Sequence, residues 1–217
     1  MASANFPPDL AIQPLRASSS NVVADVDGEG NSSTGSDDDI WAQRQGIASH
    51  GLAGRLWEAS LLLNSFLQPP VSGAGPSKDF EPPCSLFAGG SDAPRVGRTV
   101  LELGAGVGFA SCELASLLPP ADLVLMTDLP EVVPLMEDRR ERFLAHRPGA
   151  SSQAEVWVRP LAWGKEDERA IADELLERRE RSGVDPAAPL IDLVIASDLV
   201  YFPSPSRDAE LVVRAYD

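Results

Sequence analysis

The run Glu102-Leu103-Gly104-Ala105-Gly106-Val107-Gly108 joins an acid to three glycines at a spacing suited to holding a small ligand. Glycine permits the tight turn and lets a ligand approach the backbone, while the free N–H groups of a following helix meet its polar groups. The spacing also discriminates between ligands. A dinucleotide site takes Gly-x-Gly-x-x-Gly; here Phe109 stands where the last glycine of that pattern would fall, and the third glycine comes early. Glu102, just ahead of the loop, suits a ligand with a cationic amino-acid end. Asp128 closes the next apolar run, where a carboxylate can accept hydrogen bonds from ribose hydroxyls. The same Asp could cap a helix opened by Leu129-Pro130-Glu131. Beside the glycine loop the ribose reading is favoured.

These residues need strands and helices to hold them, and the pattern supplies both. Thr99–Leu103 reads as a strand, followed by the glycine turn and a helix from about Val107 to Leu118, stopped by Pro119-Pro120. Leu123–Asp128 reads as a second strand with a helix near Glu131–Ala145 after it. A third strand starts at Glu155 and runs towards Trp163; a charged helix over Lys165–Arg181 leads into a fourth strand, Ile191–Ser197. Strands alternating with helices imply βαβ units and a parallel sheet, and strands apolar almost throughout fit a sheet covered on both faces. The expected class is α/β, a Rossmann-like sheet with helices on both sides.

Upstream, Gly54–Leu67 carries apolar residues at helical spacing and ends before Pro69-Pro70. The stretch 68–98 mixes Pro, Gly and Ser and is expected to be a long surface loop. Residues 1–45, rich in Ser, Asp, Gly, Asn and Pro, are expected to be disordered, with the folded domain spanning 46–217. The chain ends soon after the fourth strand, whereas doubly wound sheets usually carry more, so a truncated sheet lacking its C-terminal strands is expected.

With Lys+Arg 18 against Asp+Glu 33, the net charge is −15. Such a surface repels nucleic-acid backbones and favours partners presenting Lys or Arg, although charge that only aids solubility explains it equally well. Cys84 and Cys112 form no disulfide framework, and His50 and His146 lie far apart with no acidic partner at metal-binding spacing, so no metal site is expected. No secretory signal opens the sequence and no apolar run reaches the length of a membrane span. A soluble protein of a reducing compartment is expected: cytoplasmic, with the nucleus as a further location.

At the motif residues the sequence resembles the seven-β-strand methyltransferases. It is most similar to methyltransferase family 16, which contains the methyltransferase-21-like protein-lysine methyltransferases. The elements that carry the resemblance are Leu56-Trp57-Glu58-Ala59, Val100 through Gly108, Thr127-Asp128-Leu129, Leu161-Ala162-Trp163-Gly164 and Ala196-Ser197-Asp198-Leu199-Val200-Tyr201. They span roughly residues 46–212. The glycine motif marks the superfamily, whereas the Trp and Asp-x-x-Tyr elements point to the family.

The resemblance implies S-adenosylmethionine as cofactor. Trp57 would sit by its methionine end and Trp163 by its adenine, with Gly104, Ala105 and Gly106 approaching by their backbones. Glu102, Asp128, Leu129 and Ser197 would complete the site; relatives often carry Ala at the position of Ser197. Asp198 would hold an incoming lysine ammonium and Tyr201 would orient the neutral amine. Plainer roles stay open: Trp57 and Trp163 as core aromatics, Asp198 as a helix cap, Tyr201 as a cover for the sheet edge.

The expected function is methyl transfer to a protein lysine. Translation factors and chaperones are frequent targets in the family, and neither nucleic acid nor membrane is expected as partner. A non-catalytic cofactor or partner binder and a small-molecule N-methyltransferase remain as alternatives.

Overall fold

A computed structural model of the chain describes residues 11–15, 37–69, 84, 86–87, 97–146, 153–164, 167–183 and 187–199. Four strands, β1 (Thr99–Leu103), β2 (Leu123–Asp128), β3 (Glu155–Pro160) and β4 (Leu193–Ala196), form one parallel sheet in the order β3-β2-β1-β4. The helices are α1 (Asp37–His50), α2 (Glu58–Phe66), α3 (Phe109–Leu117), α4 (Val133–His146) and α5 (Asp167–Ser182). Short 3-10 turns at Gly51–Gly54 and Pro130–Val132 precede α2 and α4.

Period-two alternation along the strands sorts their side chains onto two faces. Val100, Val124, Met126, Val156, Val158 and Ile195 join a core with Cys112, Leu114 and Ala115 of α3 and Met136 and Phe143 of α4. Leu63 and Phe66 of α2 pack against the same core. Leu101, Leu123 and Leu125 point the other way, onto Ile171 and Leu175 of α5. Both faces are therefore covered, which is why the strands read as nearly continuous apolar runs. A slip of one residue would exchange the two sets, so burial fixes the register that pairs Leu101 with Leu125 and with Val194.

The strand order explains the sides the helices take. From β1 the chain steps to β2 and then to β3 in one direction, through α3 and α4 on one face. It then returns past both strands to place β4 on the far side of β1. Parallel crossovers are right-handed, so reversing direction puts α5 on the opposite face. The reversal creates a switch point between β1 and β4, and ligands of open α/β sheets bind outside the strand C-termini at such a point.

The opposite end of the sheet is locked by ion pairing. The carboxylate of Asp122 is fully buried and accepts the Arg98 amide at 2.9 Å and Arg98 Nε at 2.8 Å, while Arg98 Nη1 donates to the Leu86 carbonyl at 2.7 Å. Asp192 Oδ2 accepts the Thr99 amide at 2.9 Å, fixing the start of β4 beside β1.

Three expectations need correction. Order begins before Gly46: α1 runs from Asp37, and Leu15 exchanges hydrogen bonds with Gln43 on that helix. Polar composition at the start of α1 hides a helix that tertiary contacts hold. The stretch 68–98 is also not wholly surface, since Cys84 is buried and Leu86 and Phe87 pack against the core. The helix expected from Gly54 starts instead at Glu58, with Trp57 extended as its N-cap. Most of the stretch 68–98, and the C-terminal residues after Leu199, lie outside the described residues.

Candidate functional site

The glycine loop sits at the switch point, running from the end of β1 into α3. Gly104, Gly106 and Gly108 all hold left-handed conformations, with φ of 62°, 51° and 67°. Space is restricted too. A Cβ on Gly106 would lie 3.0 Å from the Ala53 carbonyl oxygen and one on Gly108 2.7 Å from the Met126 sulfur. A Cβ on Gly104 would run into the Leu199 side chain. The loop is tied to β2 by the Ala105 amide, which donates to the Thr127 carbonyl at 2.9 Å, and closed by the Gly108 amide on the Ala105 carbonyl at 2.7 Å.

Asp128 stands at the end of β2 facing this loop. Its Oδ2 accepts the Gly106 amide at 2.8 Å and its Oδ1 accepts the Leu129 amide at 2.7 Å. The turn after it has Leu129 as N-cap with no side-chain cap, so Asp128 joins strand to loop instead of capping that turn. Burial raises its pKa, and the two amides oppose the shift. Among the described residues each oxygen accepts one such bond, and a carboxylate oxygen has a second lone pair to offer.

Glu102 is enclosed beneath the loop. Burial pushes its carboxyl up to about 7, opposed by the Ser111 hydroxyl that hydrogen-bonds to it from α3. The Thr127 hydroxyl donates to the Glu102 carbonyl at 2.6 Å. Sequence reasoning places Glu102 before the loop but misses Ser111, because a serine on a helix gives no sign of which way it faces.

Ser197 and the segment of Trp57 come together although they lie far apart in the chain. The Ser197 hydroxyl lies 3.3 Å from that of Ser60 in the first turn of α2, which brings the end of β4 to the Trp57 segment. Trp57 Nε1 donates to the Leu52 carbonyl at 3.0 Å, and the Arg55 guanidinium lies 4.2 Å from its ring centroid. Sequence reasoning does not single out Arg55, although its spacing to Glu58 is that of an ion pair at a helix start. The two make that pair at 2.8 Å, and the hydrogen bonds from Arg55 hold the Glu58 carboxyl down to about 2.

Trp163 lies past β3, half-buried against the core that α5 covers. Its turn is fastened to the start of α5, with the Ala162 amide on Asp167 Oδ2 at 3.0 Å and the Gly164 amide on Glu168 Oε1 at 2.9 Å. Asp198 is exposed beyond β4 in a left-handed conformation, φ 58°, that Asp tolerates better than most residues. Tyr201 lies outside the described residues. The loop, Asp128, Ser197 and Asp198 thus share the C-terminal end of the sheet. A model of the lysine methyltransferase family matches residues 35–210.

The chain belongs to the lysine methyltransferase family.

The match includes all of α1, in agreement with a folded region that starts ahead of Gly46. A search of curated proteins finds no match. In this member of the family, burial pushes the Cys112 thiol up to about 11. Among the described residues no group of three or more His, Cys, Asp or Glu side chains could hold a metal ion, and no helix is long and apolar enough to cross a membrane.

Proposed function

We propose that the chain is an S-adenosylmethionine-dependent methyltransferase acting on a protein lysine. One observation carries the cofactor reading. The glycine loop at the switch point presents backbone with no room for side chains, while Asp128 at the next strand end keeps lone pairs for ribose hydroxyls. The residues present fit the group. Gly104, Ala105 and Gly106 would line its path, and Glu102 and Leu129 would flank them. Trp57 and Ser197 would sit at its methionine end and Trp163 by its adenine. When bound, the cofactor supplies an electrophilic methyl group on a sulfonium.

The protein's own task is positioning and exclusion of water, since displacement at a methyl needs alignment more than acid–base help. A lysine with its ordinary pKa near 10.4 is mostly protonated and must lose a proton before it attacks. Asp198, exposed beyond β4, would hold the incoming ammonium by charge, and Tyr201 would orient the neutral amine. Water can accept the proton. The family name supports a lysine target, and the net charge of −15 suits a partner that presents basic residues.

The test is transfer of a labelled methyl group, with protein extracts and small amines offered separately. Label on lysines of proteins alone supports the reading. Label on small amines alone replaces it with small-molecule N-methylation, and cofactor binding with no transfer to either leaves a non-catalytic binder.

A further inference from the structure

Residues 11–15 precede the stretch matched by the family, yet they dock on the wall that carries Trp57. The Leu15 amide donates to Gln43 Oε1 at 3.0 Å, and Gln43 Nε2 returns a bond to the Leu15 carbonyl at 3.2 Å. This reciprocal pair fastens the segment to α1. Alongside it, the Gln13 carbonyl accepts Arg55 Nε at 2.7 Å.

Arg55 then has every nitrogen engaged, because Nη1 and Nη2 each donate to the Glu58 carboxylate at 2.8 Å. A guanidinium is planar with its donors in a rigid fork, so bonds at both edges fix its plane. That plane lies over the Trp57 indole, whose N–H is anchored on the Leu52 carbonyl. The ring is thereby held by its edge and by its face. Glu58 alone would leave the guanidinium free to swing about one edge; the Gln13 carbonyl removes that freedom.

We propose that residues 11–15 form a strap that positions Trp57 for the cofactor, acting through Arg55. Gln13, Gln43 and Arg55 are positioning residues. The inference rests on the assignment of Trp57 to the S-adenosylmethionine site. Linkage gives it a distinctive consequence: if a docked strap favours cofactor binding, bound cofactor favours strap docking by the same factor. A strap that only stabilised α1 would be indifferent to the cofactor.

The experiment uses the full chain and reads two quantities, S-adenosylmethionine affinity by calorimetry and amide hydrogen exchange of the peptide containing Leu15. In the unaltered protein, saturating cofactor is expected to slow exchange at Leu15 about fivefold or more. Gln43→Ala, which removes both bonds to Leu15 and leaves those of Arg55 to Gln13 and Glu58, is expected to weaken binding by a similar factor. Arg55→Lys keeps the charge but loses the fork, and is expected to abolish the cofactor effect on exchange. Saturable binding with Leu15 exchange unchanged, or Gln43→Ala binding as tightly as the unaltered chain, overturns the strap and leaves the cofactor site standing. A folded chain that binds no cofactor overturns the site reading, and the strap with it.

Discussion

The Asp128 carboxylate accepts the Gly106 amide at 2.8 Å, so the end of the second strand holds the middle of the glycine loop. Its other oxygen takes the amide of Leu129, and burial makes both bonds stronger than they would be in water. One side chain therefore sets the loop's distance from β2 and offers its spare lone pairs to whatever enters the crevice.

Gly106→Ala is expected to lower stability by about 1–3 kcal/mol and to abolish cofactor binding. The new Cβ would face the backbone carbonyl of Ala53, which cannot rotate away, at a φ of 51°. Thermal denaturation together with a binding assay checks this; a variant as stable as the parent would mean that the loop is not held as described.

Stability should fall between about pH 4.5 and 7 through Glu102. Its carboxyl is raised from 4.5 to about 7, chiefly by burial, so in that window the folded chain binds more protons than the unfolded one. The contribution is fully present below pH 4.5 and lost as pH rises through 7, and its size is on the order of 3 kcal/mol. Asp128 is raised as well and acts in the same direction. Glu58 is lowered, so its effect falls below this window. Denaturant melts of Glu102→Gln against the parent across pH 4.5–7 isolate the effect: the variant should lose less stability as pH rises. Parallel curves would show that Glu102 does not titrate there.

Asp122→Ala should cost about 3–5 kcal/mol by leaving Arg98 without its buried counterion. The damage is expected at the N-terminal end of the sheet, where Arg98 also holds the Leu86 carbonyl. Urea unfolding measures the cost; a loss below about 1 kcal/mol would place the pair among weak surface bridges.

Asp198→Ala is expected to abolish methyl transfer while leaving cofactor affinity within a few-fold, since the side chain is exposed beyond β4. Full turnover by that variant would remove Asp198 from the mechanism.

Much of the sheet and of the loop is legible in the sequence itself. Thr99–Leu103 and Leu123–Asp128 lie where their apolar runs put them, because a sheet covered on both faces leaves little choice of residue. The glycine spacing and Asp128 are readable because a left-handed turn and a strand-end carboxylate restrict residue type. What the sequence hides depends on long-range contacts. Arg55 owes its place to Gln13 and Trp57, and Ser111 its role to the helix phase that turns it onto Glu102. The start of α1 at Asp37 is hidden because its early residues are polar and its support comes from elsewhere in the chain. Trp163 packs on the core that α5 covers, a contact its place after β3 in the sequence does not announce.

The most direct measurement is a calorimetric titration of the purified chain with S-adenosylmethionine, beside Asp128→Asn. The parent is expected to bind saturably and the variant to lose about tenfold to a hundredfold, from bonds to a charged group worth about 1.5–3 kcal/mol. A folded parent that gives no heat of binding, or a variant that binds as tightly as the parent, would contradict the cofactor reading.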